Sequence, residues 1–554
     1  MLLDIRPDHL QIVQAILQKH VPQYAVWAFG SRAKWTAKDY SDLDLCVVSN
    51  KPLSFSLLGA IAEDFSDSDL PWKVDVVDWA TTSEGFRKII ERDKVVVQKA
   101  SEARRSEWGN ETTIGQLVAD FGGSIKTGPF GTALKASEYV SEGVPLISVR
   151  EIGHGSFHID SKTPRVSPET TTRLSEYLLE AGDIVFARKG GIERCSLVRK
   201  AQAGWFLGSD GIRLRPPKNC DARFLAYSLQ TQTVKDWLTQ HSTGSTMASL
   251  NQATIARLPI CIPSIDEQKK IASCLAALDD RITLLRETNA TLEAIAQALF
   301  KSWFMDFDPI HAKQQGRAPD CMDEATAALF PDSFEESKLG LIPKGWSISN
   351  IEEIAEKVGM GPFGSNIKVS TFVSQGVPVL NGRNVQDTLL TDLDFNFITP
   401  SHAEKLKNSC VKAGDVVITH RGTLGQVALV PEGLCYDQFV VSQSQFFLRC
   451  DRRRMLPEWI TYFFKSPIGQ QLLLANTSQV GVPSIARPVS HLRSIKLVLP
   501  PFEILSQFSE TVSALHKSVV ANRQQAQTLA TLRDILLPRL ISGQLRLPEA
   551  SSVA

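Results

Sequence analysis

The feature that most constrains this chain of 554 residues is an internal duplication. The tetrapeptide GPFG occurs at 128–131 and again at 361–364, and SEGVPLISVREI at Ser141 is matched by SQGVPVLNGRNV at Ser374, with the same offset of 233 residues. EAGDIVFARKG and KAGDVVITHRG repeat at an offset of 232 residues. Solenoid repeats have periods of about 20–50 residues. The longer period therefore predicts two similar domains with pseudo-two-fold symmetry, which suit a target that itself has two halves.

Length and composition indicate a multidomain globular protein. The length accommodates about three to five domains, and the hydrophobic content of 43% and charged content of 22% are ordinary. Zero net charge argues against one large basic surface but leaves a local basic patch open. No apolar run reaches the roughly 18 residues that span a bilayer, and the N-terminus has no apolar signal core. Because the nine cysteines are scattered without a C-x-x-C pair, we expect reduced thiols in the cytoplasm and no membrane contact.

Composition and periodicity divide the chain into six pieces. Short β-rich runs separated by Gly-rich turns make each repeat a mixed α/β domain. The predicted fold class is therefore α/β and α+β multidomain, with a small α/β domain first and two similar domains after it. The pieces are residues 1–100, the small domain; 107–263, the first repeat; 264–306, a long helix; 307–342, a connector; 343–500, the second repeat; and 501–547, a second long helix with a tail.

Both long helices carry a heptad pattern of apolar residues, in which Leu285 and Val519 are typical members. Each seam contains one asparagine, Asn289 or Asn522, and a buried asparagine fixes register at some cost in stability. Each helix could instead pack on its own domain. The matched seams favour an intramolecular antiparallel coiled coil, about 60 Å long, that separates the two repeats.

Several segments outside the duplicated motifs carry a resemblance to one family. They are IPSIDEQKKIASCLAALDDRI from Ile262, ALFKSWFMDFDPIHAKQQGRAPD from Ala298, LGLIPKGW from Leu339 and LRDILLPRLISGQLRL from Leu532. Through them the chain is similar, from about Gln116 to Leu547, to the specificity subunit of type I restriction-modification systems.

The resemblance implies that each repeat is a target-recognition domain for one half of a bipartite site in double-stranded DNA. It also implies that the two helices bind two adenine-N6 methyltransferase subunits, that an ATP-dependent restriction and translocase subunit joins them, and that this part of the chain needs no cofactor. The residues of the heptad seams on which this docking would depend are Leu285, Asn289, Val519 and Asn522.

Candidate DNA contacts are basic residues at strand ends and Gly-rich turns. Lysine and arginine supply affinity through phosphates, while side chains in the grooves read the bases. Any one of them could be a solvated surface charge, but Arg150/Arg383 and Lys189/Arg421 keep a cation in both copies. Phe130 in the first GPFG, like Phe363 in the second, is interpreted as a loop anchor, with a wedge between bases as the alternative. The candidates are Lys126, Lys135, Arg150, Arg188, Lys189, Lys368, Arg383 and Arg421.

A second, independent pattern lies near the N-terminus. Gly30-Ser31 follow an apolar strand, and Asp42 and Asp44 begin the next one, where residues two apart share a face. KVDVVDW supplies a third carboxylate, Asp75 or Asp78. Clustered carboxylates require cations, as in sites that hold two Mg²⁺ ions for phosphoryl or nucleotidyl transfer. A Gly-Ser turn lets backbone N–H groups and a hydroxyl approach a triphosphate.

This pattern resembles the minimal nucleotidyltransferase domain of the polymerase-beta superfamily. The resemblance implies Mg²⁺ and a nucleoside triphosphate as cofactors, and leaves Asp78 as a competitor for the third position. The domain could be active, an inactive binding module, or a structural contact to the methyltransferase. An alternative function for the whole chain is therefore a toxin–antitoxin-like nucleotidyltransferase delivered by a DNA-binding half. The matching residues are Gly30 and Ser31 for the phosphate turn, and Asp42, Asp44 and Asp75 for metal binding and catalysis.

Overall fold

The computed structural model describes residues 3–22, 24–38, 40–49, 52–99, 108–131, 133–244, 248–362, 366–391, 395–478 and 481–548. The chain forms two compact units, Met1–Ala276 with Asp534–Ala554, and Ala277–Arg533. Within the described ranges no helix is both long and apolar enough to cross a bilayer. The architecture is the mixed α/β multidomain one that the sequence predicts.

The N-terminal domain is a four-stranded sheet covered by helices. Strand Leu43–Val48 pairs antiparallel with Ala25–Phe29 and parallel with Val74–Asp78, while Val95–Gln98 forms the other edge. The apolar strand residues are buried against the first and third helices, so the polar strand starts remain at one edge of the sheet. The helices are Pro7–His20, Gly30–Ala33, Phe55–Ser66 and Glu84–Asp93, with a 3₁₀ turn at Trp79–Thr81.

The two repeats share one plan. Each has a four-stranded antiparallel sheet with the same strand order at equivalent positions. Each also has a smaller mixed sheet in which three strands correspond, whereas the fourth is Tyr139–Val140 in the first repeat and Cys410–Val411 in the second. The antiparallel sheet runs Cys195–Leu197, Ile184–Ala187, Gly211–Arg215, Ser124–Thr127 in the first repeat and Val427–Leu429, Asp415–Thr419, Gln445–Cys450, Ala355–Met360 in the second. The mixed sheet runs Phe206–Leu207, Val144–Ile147, Arg165–Val166, Tyr139–Val140 in the first; in the second, Asn396–Ile398, Val377–Leu380, Phe439–Val441, Cys410–Val411.

The remaining elements close each repeat and form the connector. A side-chain cap begins the first helix of each repeat, where Thr113 and Asn350 accept from the amide three residues later. The first repeat adds Ile114–Phe121, Pro168–Arg173, Ala222–Ser228, Gln232–His241 and Gln252–Ala256, with strands Asn110–Thr113 and Pro259–Ile262. The second adds Ile351–Ile354, Pro400–Lys405, Pro457–Lys465, Pro467–Leu474 and Pro488–Ser494, with strands Ser347–Asn350, Thr477–Ser478, Ser484–Ile485 and Lys496–Leu499. The connector holds helices Asp308–Gln314 and Glu324–Leu329 and strands Phe334–Ser337 and Gly340–Pro343.

A buried ion pair occupies the same place in both repeats. The Asp183 carboxylate, 1% exposed, accepts hydrogen bonds of 2.7 and 2.9 Å from Arg215. Asp415, also 1% exposed, accepts bonds of 2.7 and 2.6 Å from Arg449. Removing the arginine of such a pair leaves a buried carboxylate without its cation, at a cost of about 3–5 kcal/mol. The duplication therefore extends to the interior of the sheets.

Two helices of 40 residues, Ile265–Phe304 and Phe502–Ile541, follow the repeats. In the unit Ala277–Arg533 they are antiparallel, because Leu285 packs near Ala526 whereas Phe300, later in the first helix, contacts Phe508, earlier in the second. This direction agrees with the antiparallel pairing predicted from the heptads.

A buried polar cluster joins the helix pair to the second repeat. The Tyr462 hydroxyl donates a 3.0 Å hydrogen bond to Glu293 and lies 3.0 Å from Nε2 of His516. Thr388 donates to the other oxygen of Glu293 at 2.5 Å. Burial lowers the pKa of His516 to about 4, so its imidazole is neutral at pH 7.

The last turn of the second long helix packs on the first repeat, within the unit that contains both. The Trp108 indole N–H donates a 3.0 Å hydrogen bond to the Ile541 carbonyl. Leu540 is fully buried in the same cluster as Phe224 and Leu275. The C-terminal end of this helix is therefore part of this unit's core.

Candidate functional site

The starts of the two parallel strands in the N-terminal domain bring acidic residues together. Asp44 and Asp75 are paired in register on neighbouring strands, and Asp42 lies exposed just before the first of these strands. Burial raises the pKa of Asp44, and the nearby charges of Asp75 and Asp42 raise it further. Carboxylate oxygens are the donors that Mg²⁺ prefers. A divalent cation would relieve the repulsion that raises this pKa, so the donor set fits such an ion.

The Gly-Ser turn lies against the Asp44 carboxylate. Phe29 pairs with Asp44 across the sheet, so Gly30 begins the turn directly beside it. Gly30 has φ of 79°, and a β-carbon there would overlap the Asp44 carboxylate. Only glycine therefore permits this approach. Buried Arg32 holds the loop that follows, since it donates a 2.8 Å hydrogen bond to the Ser41 carbonyl.

The two candidates for the third carboxylate have different surroundings. Asp78 is 3% exposed and accepts hydrogen bonds from the Leu53 amide at 2.8 Å, the Ala80 amide at 3.0 Å and the Ser49 hydroxyl. Its oxygens are used within the fold. The Asp75 side chain is 45% exposed and forms a 2.6 Å ion pair with Lys73.

A closed cage for a metal is not preformed. Within the described residues, no group of three or more His, Cys, Asp or Glu is arranged to hold a metal ion. The Lys73 ammonium occupies one oxygen of Asp75, and it would have to move for a cation to bind there.

Two exposed aromatic residues lie in the loop between the turn and Asp42, and the sequence analysis did not identify them as candidates. They are Trp35, 57% exposed, and Tyr40, 76% exposed. The sequence feature that could have identified them is their position between the Gly30-Ser31 motif and the Asp42 and Asp44 motif.

Two of the candidate DNA contacts are engaged within the first repeat. The Lys126 ammonium forms a 2.5 Å ion pair with Glu176. Arg150 forms ion pairs of 3.0 Å with Glu151 and 2.7 Å with Asp160. These side chains can meet a phosphate only if they exchange carboxylate partners for it. Five other candidate residues are exposed and form no such ion pair with any described residue. They are Lys135, Lys189, Lys368, Arg383 and Arg421.

The structure corrects the interpretation of Phe130. We expected its ring to anchor the GPFG loop, but the residue is 58% exposed and the Arg188 guanidinium lies over the ring, 4.8 Å from its centre. The loop is held by backbone instead, because a β-carbon at Gly128 would overlap the Gly208 carbonyl. Phe363, the second copy's counterpart, lies outside the described residues.

The four helix residues face the other helix of the same chain. Leu285 and Val519 are 3% and 5% exposed, and the side chains of Asn289 and Asn522 are hydrogen-bonded to each other. They form the seam of the pair, and an incoming partner would meet other faces of the helices.

Comparison with known proteins separates the chain into two parts. A family model described as polymerase beta, nucleotidyltransferase, matches residues 11–103, and one described as type I restriction modification DNA specificity domain matches residues 128–294. The probable protein adenylyltransferase MntA of Haemophilus influenzae is 58% identical over 97 residues, 18% of this chain and 85% of the relative.

The larger part of the chain, about four fifths of it, is similar to specificity subunits of type I restriction systems. The type I restriction enzyme MjaIX specificity subunit of Methanocaldococcus jannaschii is 24% identical over 465 residues, 79% of this chain and 96% of the relative. The solved structure of the type I restriction-modification system S subunit from M. genitalium aligns with 80% of this chain and 96% of its own, with 16% identity and a TM-score of 0.47.

Proposed function

This chain belongs to the type I restriction-modification specificity subunits and its N-terminal domain to the polymerase-beta nucleotidyltransferases, and from that membership we propose that it selects the DNA site of a type I complex. Each repeat reads one half of a bipartite site in double-stranded DNA. The helix pair carries two adenine-N6 methyltransferase subunits, and an ATP-dependent restriction and translocase subunit completes the assembly in the cytoplasm.

The observation that carries this proposal is the duplication of one fold. Both repeats have the same order of strands in the antiparallel sheet and the same buried Asp–Arg pair, yet their surface residues differ. Two like scaffolds with unlike surfaces suit two half-sites of unlike sequence. Exposed cations such as Lys189 and Arg421 supply phosphate contacts, while groove contacts specify bases.

The test is a domain exchange followed by mapping of methylated sites. Residues 107–263 are replaced by the corresponding domain of a related specificity subunit, and the full chain is co-expressed with its methyltransferase. We expect one half of the methylated motif to change and the other to remain. A motif altered in both halves, or in neither, contradicts the assignment of one repeat to one half-site.

We propose further that the N-terminal domain binds a nucleoside triphosphate with Mg²⁺ and transfers its nucleotidyl group to an acceptor. An acceptor nucleophile would form the new bond to the α-phosphorus, the α–β phosphoanhydride bond would break, and pyrophosphate would leave. The observation behind this second function is the approach of Gly30 to Asp44, with Asp75 beside it. Asp42, Asp44 and Asp75 would hold the metal, which when bound supplies charge to the phosphates and polarises them. Asp75 is preferred to Asp78, because Asp78 is buried and already hydrogen-bonded.

The residues of the chain contribute binding and orientation in this second function. Backbone N–H groups of the turn at Gly30 and the hydroxyl of Ser31 face the phosphates. Arg32 and its bond to Ser41 keep that turn and the strand start at Asp44 in one place. Transfer of label from α-labelled ATP by the full chain tests this proposal. An absence of labelling and of metal-dependent ATP binding would leave the domain a structural module.

A further inference from the structure

The backbone of the first repeat holds Arg188 at the end of Ile184–Ala187, an inner strand of its antiparallel sheet. The Arg188 amide donates a 2.8 Å hydrogen bond to the Asp210 carbonyl, and its Nη1 donates a 3.3 Å bond to the Ser209 carbonyl. The GPFG loop closes on the same turn, since Gly128 meets the Gly208 carbonyl at a distance that excludes a β-carbon. Two loops therefore meet beside this one guanidinium.

The Arg188 guanidinium lies over the ring of Phe130, which is not buried in the core of the repeat. Phe130 is 58% exposed, and the Arg188 Cζ is 4.8 Å from the ring centre. Stacking on an aromatic face orients the planar guanidinium and leaves edge N–H groups for another acceptor. Lys126 also lies over a ring, that of Tyr177, but its ammonium is paired with Glu176. Arg188 is thus oriented without a carboxylate to neutralise it in the described contacts.

We propose that Phe130 is a positioning residue that holds Arg188 to read a guanine in the half-site of the first repeat. This inference rests on the proposed DNA-specificity function. A guanidinium presents two parallel N–H donors, and O6 and N7 of guanine are two adjacent acceptors in the major groove, which makes this the commonest specific contact between arginine and a base. An arginine held over a ring and by a hydrogen bond to the backbone suits that geometry, whereas a phosphate contact requires only charge.

Among the described residues of the second repeat, the position that corresponds to Arg188 holds a histidine. This residue, His420, is 6% exposed, and its Nε2 lies 3.1 Å from the Gln443 carbonyl. Burial lowers the pKa of His420, so the imidazole is neutral at pH 7 and directed inward. The inferred guanine contact therefore concerns the half-site of the first repeat.

The experiment uses the full chain in complex with its methyltransferase to select duplexes from a randomised library, and the selected sequences give the preference at each base pair. Arg188→Lys keeps the charge but loses the two-donor fork, and it should reduce the preference for guanine at one position of one half-site by roughly 5- to 100-fold. Phe130→Ala should reduce the same preference by roughly 2- to 5-fold. Phe130→Tyr retains the ring and should select the wild-type motif.

Three results would overturn the inference. An unchanged motif for Arg188→Lys, a loss of affinity equal on all sequences with a shallower salt dependence, or a change in both half-sites would each assign Arg188 another role. A wild-type complex that selects no bipartite motif would instead reject the proposed function itself, so the two failures are distinguishable.

Discussion

The side-chain amide of Asn522 donates a 2.9 Å hydrogen bond to the side-chain oxygen of Asn289 across the helix pair. The Asn289 amide in turn donates to the Val519 carbonyl at 3.4 Å. Any shift of one helix along the other would leave both amides opposite apolar side chains, where unpaired polar groups are unfavourable. The pair therefore defines the register of the two helices.

Replacing one asparagine should cost more than replacing both. In Asn289→Leu the Asn522 amide loses its partner, and we expect the free energy of unfolding to fall by about 1–3 kcal/mol. In the Asn289→Leu, Asn522→Leu double variant the seam becomes apolar, and most of that stability should return. Urea unfolding of the wild type, Asn289→Leu, Asn522→Leu and the double variant, followed by circular dichroism, measures the coupling. Additive losses in the double variant would mean that the two amides act independently.

Neighbouring leucines of the first long helix provide a matched pair of substitutions. Leu285 is 3% exposed in the seam, whereas Leu284 is 51% exposed. Leu285→Glu buries a charge and should lower the thermal midpoint of the helix pair and abolish the methyltransferase complex, and Val519→Glu should do the same. Leu284→Glu should leave the midpoint unchanged. Equal melting of Leu285→Glu and Leu284→Glu would contradict the seam.

Acid should destabilise the unit that contains His516. The pKa of His516 is lowered by burial from 6.5 to about 4, with the charge of Glu293 raising it and that of Arg523 lowering it, and Tyr462 lies against its ring. Between these values the unfolded chain binds a proton that the folded one does not. Stability is therefore full above pH 6.5 and falls toward pH 4, by up to about 3 kcal/mol.

The measurement for this prediction is the urea midpoint from pH 7 to pH 4. His516→Gln should remove this part of the pH dependence, and the exposed His311→Gln should retain it. An identical slope for wild type and His516→Gln would show that the imidazole is not the group responsible.

Asp44→Asn should eliminate metal-dependent ATP binding by the full chain, because it removes a carboxylate charge beside Asp75 and the Gly30 turn. Labelled ATP with Mg²⁺ or Mn²⁺ is the probe, and the methylated motif should be unchanged, since the repeats lie elsewhere in the chain. Asp78→Asn is the control: it disturbs buried hydrogen bonds to Leu53 and Ala80 and should lower thermal stability. ATP binding that survives Asp44→Asn would exclude these aspartates as the metal site.

The exposed arginines of the second repeat distinguish affinity from specificity. Arg383→Ala and Arg421→Ala should each weaken binding of the cognate duplex. A phosphate contact predicts a uniform loss on all sequences and a salt slope smaller by about one, while a base contact predicts a loss of about 1–3 kcal/mol on certain sequences only. Duplex binding at several salt concentrations checks this. Unaltered binding for both would make them solvated surface charges.

The sequence alone was sufficient for features that repeat or that depend on local chemistry. The duplication predicted two like domains, and the heptads with Asn289 and Asn522 predicted an antiparallel pair. The Gly30-Ser31 turn and Asp44 are close in the chain, and the pairing of their two strands places Gly30 beside Asp44. Asp42 lies just before the strand Leu43–Val48, so the expected alternation along a strand does not apply to it. Periodicity and short spacing are properties of the chain itself, which is why they could be read before any folding.

Only the tertiary structure decided what depends on contacts between distant segments. In KVDVVDW, Asp75 and Asp78 are equivalent candidates for the third carboxylate. The structure distinguishes their surroundings, because Asp78 is buried and hydrogen-bonded to Ser49 and Leu53. The sequence predicted that Phe130 anchors its loop. In the structure Gly128 and Gly208 approach each other closely, and the Phe130 ring is exposed beneath Arg188. The burial and the partners of a side chain depend on which distant residues of the chain pack against it. A local sequence pattern does not contain that information.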